Sequence, residues 1–149
     1  MTAFNEIKDI LLSFSDFADQ EFDSEDNYCA ITDPEDNVIH IHYAPDGNEI
    51  TVLGAVGKLP DDKEYDNIVL KVFMSINFLG YETNGATFAL SDVNFVVIQR
   101  KYDCHFISKE DFSNFIYSFD DELKLWIDRY QSVIEQIEDG ESSLGIEIP

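Results

Sequence analysis

Tyr65-Asp66-Asn67-Ile68-Val69-Leu70-Lys71-Val72-Phe73-Met74-Ser75-Ile76-Asn77-Phe78 is the stretch whose reading decides the fold. Tyr65, Ile68, Val69, Val72, Phe73 and Ile76 recur at steps of three and four, the period of an amphipathic helix. Leu70, Met74 and Phe78 fall outside that stripe, so the helix is apolar nearly all round. Such a helix needs cover on more than one side. A chain of 149 residues has few other elements to supply it, which points to a second subunit.

After this helix, Thr83 to Leu90 and Phe95 to Lys101 read as a hairpin turning at Ser91-Asp92-Val93-Asn94. Before it the apolar period is two rather than 3.6. Tyr28 to Thr32, Val38 to Tyr43 and Glu49 to Val56 read as strands, joined by Asp33-Pro34-Glu35-Asp36-Asn37 and Pro45-Asp46-Gly47-Asn48. Both joints carry turn chemistry, so the three strands form an antiparallel meander. Ile39, Ile41 and Tyr43 share one face of the second strand, and Val38, His40 and His42 the other. Gly57-Lys58-Leu59-Pro60 ends the sheet, and Asp61 with Glu64 three residues on has the spacing of a capping box.

The ends of the chain read as helices. From Thr2 as cap, a first helix runs from Ala3 to about Gln20, with Phe4, Ile7, Leu11, Phe14 and Ala18 on one stripe widened by Ile10, Leu12 and Phe17. An acidic loop, Gln20 to Asn27, follows. Ser108-Lys109-Glu110-Asp111 is an N-cap signature opening a helix to about Glu138, with one apolar stripe from Phe112 to Ile137. The order α-β-β-β-α-β-β-α predicts an α+β domain, an antiparallel five-stranded sheet packed with helices. Residues 1–138 form that single domain. Residues 139–149 read as a flexible acidic tail, whose alternating Leu144, Ile146 and Ile148 could add to a sheet edge.

Composition limits the function. With 31 acidic against 9 basic residues the net charge is −22, which repels nucleic acid and anionic membrane and favours a cationic or apolar protein segment as partner. Twelve Phe, seven Tyr and 44% hydrophobic residues set the chain apart from a disordered acidic tail. The N-terminus lacks the basic and apolar regions of a signal peptide, and no window approaches the roughly 18 apolar residues of a membrane span. Cys29 and Cys104 are the two cysteines, without CxxC spacing, and reduced cytosolic thiols are expected.

Catalytic chemistry finds little support. His40 and His42 have a spacing that can bind metal, and a metal-dependent hydrolase using them with nearby carboxylates is the competing enzyme reading. Neither has a Cys or carboxylate in obvious register. Cys104 and His105, as neighbours in extended chain, project to opposite faces, a poor start for a thiolate-imidazole pair. GxGxxG, P-loop, GxSxG and HExxH motifs are missing. The expectation is a non-enzyme with no cofactor and no metal.

Three segments in order carry a resemblance: Leu53-Gly54-Ala55-Val56-Gly57-Lys58-Leu59-Pro60 ahead of the central helix, Asn77-Phe78 at its end, and Gly85-Ala86-Thr87-Phe88-Ala89-Leu90-Ser91. With this element order and acidity, the chain from about Ala3 to Gln136 resembles the class I type III secretion chaperones of the Tir-chaperone (CesT-like) group. The resemblance implies a homodimeric, cytosolic chaperone that uses no ATP and binds the extended N-terminal segment of one or a few secreted effectors. It implies a dimer interface at Val69, Val72, Phe73, Ile76, Phe88, Leu90, Phe95 and Val97. For partner binding it implies Phe4, Ile7, Leu11 and Phe14 with Ile39, Ile41 and Tyr43. The competing reading of both sets is the monomer's own core, the two halves of the partner set packing on each other. A regulatory binding protein on the same fold, sequestering a secretion regulator or another chaperone, is the alternative function. The acidic turn Asp33–Asn37 and the tail are departures from the family pattern.

Overall fold

A computed structural model describes residues 3–14, 16–23, 27–78, 83, 85–105 and 107–140. The elements are α1 (Ala3–Leu12), β1 (Ala18–Asp23), β2 (Tyr28–Thr32), β3 (Val38–Ala44), β4 (Glu49–Lys58), α2 (Lys63–Asn77), β5 (Thr87–Leu90), β6 (Phe95–Asp103) and α3 (Lys109–Glu138). The five expected strands and three helices are present in the expected order, and β1 is an additional strand.

That addition corrects the first helix, expected to reach Gln20. It ends at Leu12 because the chain tightens there: Ser13 N and Phe14 N donate to Ile10 O and Leu11 O at 3.1 Å each, bonds of the i→i−3 kind that close a helix. Ser13 Oγ also donates to Ile10 O. Ala18–Asp23, expected to be helix end and acidic loop, then pairs antiparallel with β2, with an irregularity in register between Ala18 and Glu21. Smaller differences concern the central helix and the hairpin. Asp62 rather than Asp61 caps α2, its Oδ1 accepting from Glu64 N at 2.9 Å and Tyr65 N at 3.2 Å. β5 starts at Thr87 rather than Thr83. Residues 141–149, where most of the tail lies, are outside the described residues.

The chain divides into two compact units, each running through part of β4, β6 and α3. In the first (residues 1–54 and 99–121) the strand order is β1-β2-β3-β4-β6. β2 pairs antiparallel with β3 in the register Cys29↔Ile41 and Ile31↔Ile39, and β3 with β4 in the register Ile41↔Val52. These residues, with Phe4, Ile7 and Leu11 of α1 and Phe112, Ile116 and Phe119 of α3, are buried.

In the second unit (residues 55–98 and 122–149) the order is β4-β6-β5. Its centre is a set of four rings. Phe73 lies 4.7 Å from Phe88, 6.1 Å from Trp126 and 5.6 Å from Tyr130, and Phe88 lies 4.9 Å from Trp126. Three of these contacts are edge-on, the geometry that ring quadrupoles favour. Gly57 makes room for this packing, because a Cβ there would come within 2.1 Å of the Tyr130 ring. The Tyr130 hydroxyl donates to Lys58 O, and burial pushes its pKa up to about 12.

The residues quoted for the family resemblance therefore have structural work. The Asn77 side chain grips β5 at both polar groups of one peptide residue: its Nδ2 donates to Phe88 O at 2.9 Å and its Oδ1 accepts from Phe88 N at 2.6 Å. Gly85 sits at φ +87°, a backbone region that glycine enters without strain.

Candidate functional site

Each unit carries an open apolar surface among the described residues. In the second unit, α2 buries Val69, Phe73 and Ile76 and turns the opposite stripe outward. Met74 is 69% exposed and Phe78 76%, with Leu90 of β5 at 47%. Leu70, Met74 and Leu90 line a groove with Phe73, Phe88 and Val96. Leu70 and Met74 stand four residues apart on one face of α2, and Phe78, the extended residue that caps its end, follows four residues on.

The residues expected at a dimer interface lie at different depths around this surface. Val69, Phe73, Ile76, Phe88 and Val97 are buried, Val72 and Phe95 half-buried, and Leu90 exposed. Leu70, Met74 and Phe78 were absent from that set, although their place off the main stripe was legible.

In the first unit, the end of α1 carries a cluster of rings. Phe14, half-buried, stands 5.7 Å from Phe17 and 5.3 Å from Tyr117, and Phe17 lies 5.7 Å from Tyr117. Tyr117 is partly exposed and its hydroxyl donates to Asp16 Oδ2 at 3.2 Å, while Leu12 beside them is 61% exposed. β1, the strand at the sheet's end, starts immediately after Phe17.

Of the expected partner-binding residues, Phe4, Ile7, Leu11, Ile39 and Ile41 are buried inside this unit. Phe4 packs its ring 5.8 Å from Tyr43, so in this conformation the two halves of the set meet each other. Tyr43 is half-buried, its hydroxyl donating to Asn48 Oδ1 at 2.8 Å. Phe14 alone of the seven joins the open cluster.

The residues weighed for catalysis are engaged elsewhere. His40 Nδ1 is 2.7 Å from the Tyr28 hydroxyl, and the His42 ring stands 4.9 Å from that of Tyr28. Burial pushes the Cys29 thiol up to about 12 and the Cys104 thiol to about 11, far from the thiolate that nucleophilic chemistry needs. His105 Nδ1 pairs with Asp103, and Cys104 Sγ lies 3.8 Å from Tyr102 O. Among the described residues no group of three His, Cys, Asp or Glu could hold a metal, and no helix is long and apolar enough to cross a membrane.

A family model described as Tir chaperone protein (CesT) family matches residues 9–126. No curated protein matches the chain by sequence. Among solved structures the chain is similar to that of the ExsC–ExsE complex, at 11% identity and TM-score 0.66, over 85% of this chain and 95% of that one. It is similar to the HopA1–SchA chaperone–effector complex, at 9% identity and TM-score 0.62, with the same coverage. A third is the Yersinia pestis type III secretion chaperone SycH in complex with a stable fragment of YscM2, at 15% identity and TM-score 0.51, over 82% and 95%. At these identities the likeness establishes a shared fold.

Proposed function

The chain belongs to the Tir chaperone protein (CesT) family, and we propose that it is a cytoplasmic, homodimeric chaperone of type III secretion that holds the extended N-terminal segment of one or a few effectors. The family match over residues 9–126 carries this reading. The family is one of chaperones rather than enzymes, and the work is done by binding.

Residues 1–138 form the binding domain. Leu70, Met74, Phe78 and Leu90 meet their counterparts across a two-fold axis, with Val72 and Phe95 at the rim. Val69, Phe73, Ile76, Phe88 and Val97 support them from the layer beneath. An apolar stripe of this size is expensive to leave in water, and an isologous contact covers it twice with one surface.

The effector segment takes the Phe14, Phe17, Tyr117 and Leu12 cluster for its apolar side chains and the β1 edge for main-chain hydrogen bonds. Phe4, Ile7, Leu11, Ile39, Ile41 and Tyr43 form the floor that fixes this cluster in place. Ordering a disordered segment costs several kcal/mol, offset by burial on the order of 1,000–3,000 Å². The net charge of −22 speeds encounter with a basic segment and disfavours an acidic one.

The test is co-expression with the first hundred or so residues of candidate effectors, read by solubility and by complex mass in light scattering. An insoluble segment becoming soluble in a complex of two chaperones to one segment is the expected result. A clean dimer that rescues none would sink the effector reading. The fold likeness to ExsC bound to the regulator ExsE favours one alternative, sequestration of a secretion regulator. The same panel run with neighbouring regulators separates the two.

A further inference from the structure

Between the end of β4 and the last turns of α3, the second unit holds a groove of about 440 Å³, within the size range of ligand pockets. β4 contributes Val56, Gly57 and Lys58 to its lining, and α3 contributes Ile127, Gln131, Ile134 and Glu138 beside the Tyr130 ring. The four α3 residues stand at steps of four, three and four, one stripe along the helix. Ile127 and Ile134 are only half-buried there, while Lys58, Gln131 and Glu138 are exposed.

The chain leaves α3 beside this groove. Glu138, which lines it, is the last residue of the helix. Gly140 stands at φ +79°, and its N–H donates to Ile137 O at 3.0 Å. A left-handed glycine just past a helix, bonded to the carbonyl three residues back, is an ending of the Schellman kind. It turns the chain off the helix axis. The nine residues that follow, Glu141-Ser142-Ser143-Leu144-Gly145-Ile146-Glu147-Ile148-Pro149, carry three apolar side chains at alternate positions. Alternate side chains share one face of an extended chain, so Leu144, Ile146 and Ile148 form one apolar edge.

We propose that residues 142–149 fold back as an extended segment into this groove, with Leu144, Ile146 and Ile148 against Ile134 and Ile127. The lengths agree. At 1.5 Å per residue, Ile134 lies about 9 Å and Ile127 about 20 Å back along α3 from Gly140. Extended from Ser142 at about 3.3 Å per residue, Leu144 reaches about 7 Å, Ile146 about 13 Å and Ile148 about 20 Å. Attachment two residues beyond the groove also favours this occupant over any free chain, since a short tether gives an effective concentration of roughly millimolar. The docked tail shields the groove from other extended polypeptide.

Charge limits the strength of the contact. Asp128 and Glu138 line the groove with Lys58, and the tail brings Glu141 and Glu147. The attraction is apolar and like charge opposes it, so docking tightens as salt screens the repulsion.

The test uses the full chain at fixed concentration. Methyl-labelled protein should show nuclear Overhauser contacts from Leu144, Ile146 and Ile148 to Ile127 and Ile134. Mixing labelled with unlabelled protein places them within one chain, and contacts found only between chains would overturn the proposal in favour of a second copy. Protease cleavage after Glu147 should run at least about tenfold faster in Ile134→Asp than in wild type, because cleavage follows the undocked population. That ratio should grow with salt. Should Ile134→Asp disturb the fold, Leu144→Ser with Ile146→Ser leaves the groove intact and should give the same acceleration. Equal cleavage rates would overturn the docking. So would Ile127 and Ile134 methyl shifts that the tail substitutions leave unmoved, a result that would leave the groove to an incoming segment.

Discussion

α1 and α2 are both amphipathic helices with aromatic residues on their apolar stripes, yet they resolve that character in opposite ways. α1 buries Phe4, Ile7 and Leu11 and stops at Leu12, leaving Leu12 as its one large exposed apolar residue. α2 buries Val69, Phe73 and Ile76 and keeps going apolar on the far side, with Met74 and Phe78 more than two-thirds exposed. One helix is finished by its own unit; the other is apolar on a face that the described residues leave open. Amphipathicity alone does not separate the two cases. What separates them is whether a second apolar stripe lies outside the first.

The contrast is broken most directly in the core. Phe4→Ala should cost about 3–5 kcal/mol, the usual range for emptying a buried aromatic site, and should do so by a fall in urea midpoint whatever the oligomeric state. A cost under about 1 kcal/mol would mean that α1 is an open docking helix after all. Next in size, Met74→Asp with Phe78→Asp should weaken self-association by at least about a hundredfold, close to 3 kcal/mol, while the far-ultraviolet circular dichroism stays helical. An unchanged mass in light scattering would place the dimer contact elsewhere.

Gly57→Ala comes third. Its Cβ would drive into the Tyr130 ring, 5.6 Å from Phe73 under α2, at about 1–3 kcal/mol, the range for overpacking. A partial loss of dimer should accompany that fall, because α2 loses its seat; full stability would show that the ring swings clear. The smallest effect belongs to Phe14→Asp, expected to weaken effector binding about tenfold, some 1.4 kcal/mol, with fold and dimer retained. Unfolding of that variant would assign Phe14 to the core beside Phe4.

Much of this was legible beforehand because it depends on local chemistry. The α3 stripe, the Ser108 cap whose Oγ accepts from Asp111 N at 3.2 Å, the two acidic turns and the hairpin all follow from period and turn residues. β1 was not legible. Ala-Asp-Gln-Glu-Phe-Asp has no alternation, and Phe14, Phe17 and Ala18 continue the helical period of α1, so only the tightened turn at Ser13 reveals the break. For the site, periodicity identified the apolar stripes but not what each one touches. Phe4 and Tyr43 face each other across elements that sequence spacing cannot relate, whereas the open stripe at Leu70, Met74 and Phe78 was visible as the part of α2 left without an assignment.

The grip of Asn77 on Phe88 has a consequence for traffic across the protein's surface. β5 stands at the end of the strand order and spans four residues, and on such a strand only alternate residues offer their polar backbone groups outward. Asn77 takes both groups of Phe88, which leaves little of that edge for an intruding strand. A protein whose business is to handle unfolded polypeptide is surrounded by chains in search of such an edge. With Phe88 held by one side-chain amide, extended chains are turned away from that end of the sheet, and the helix that carries the open apolar face is also the one that guards the edge.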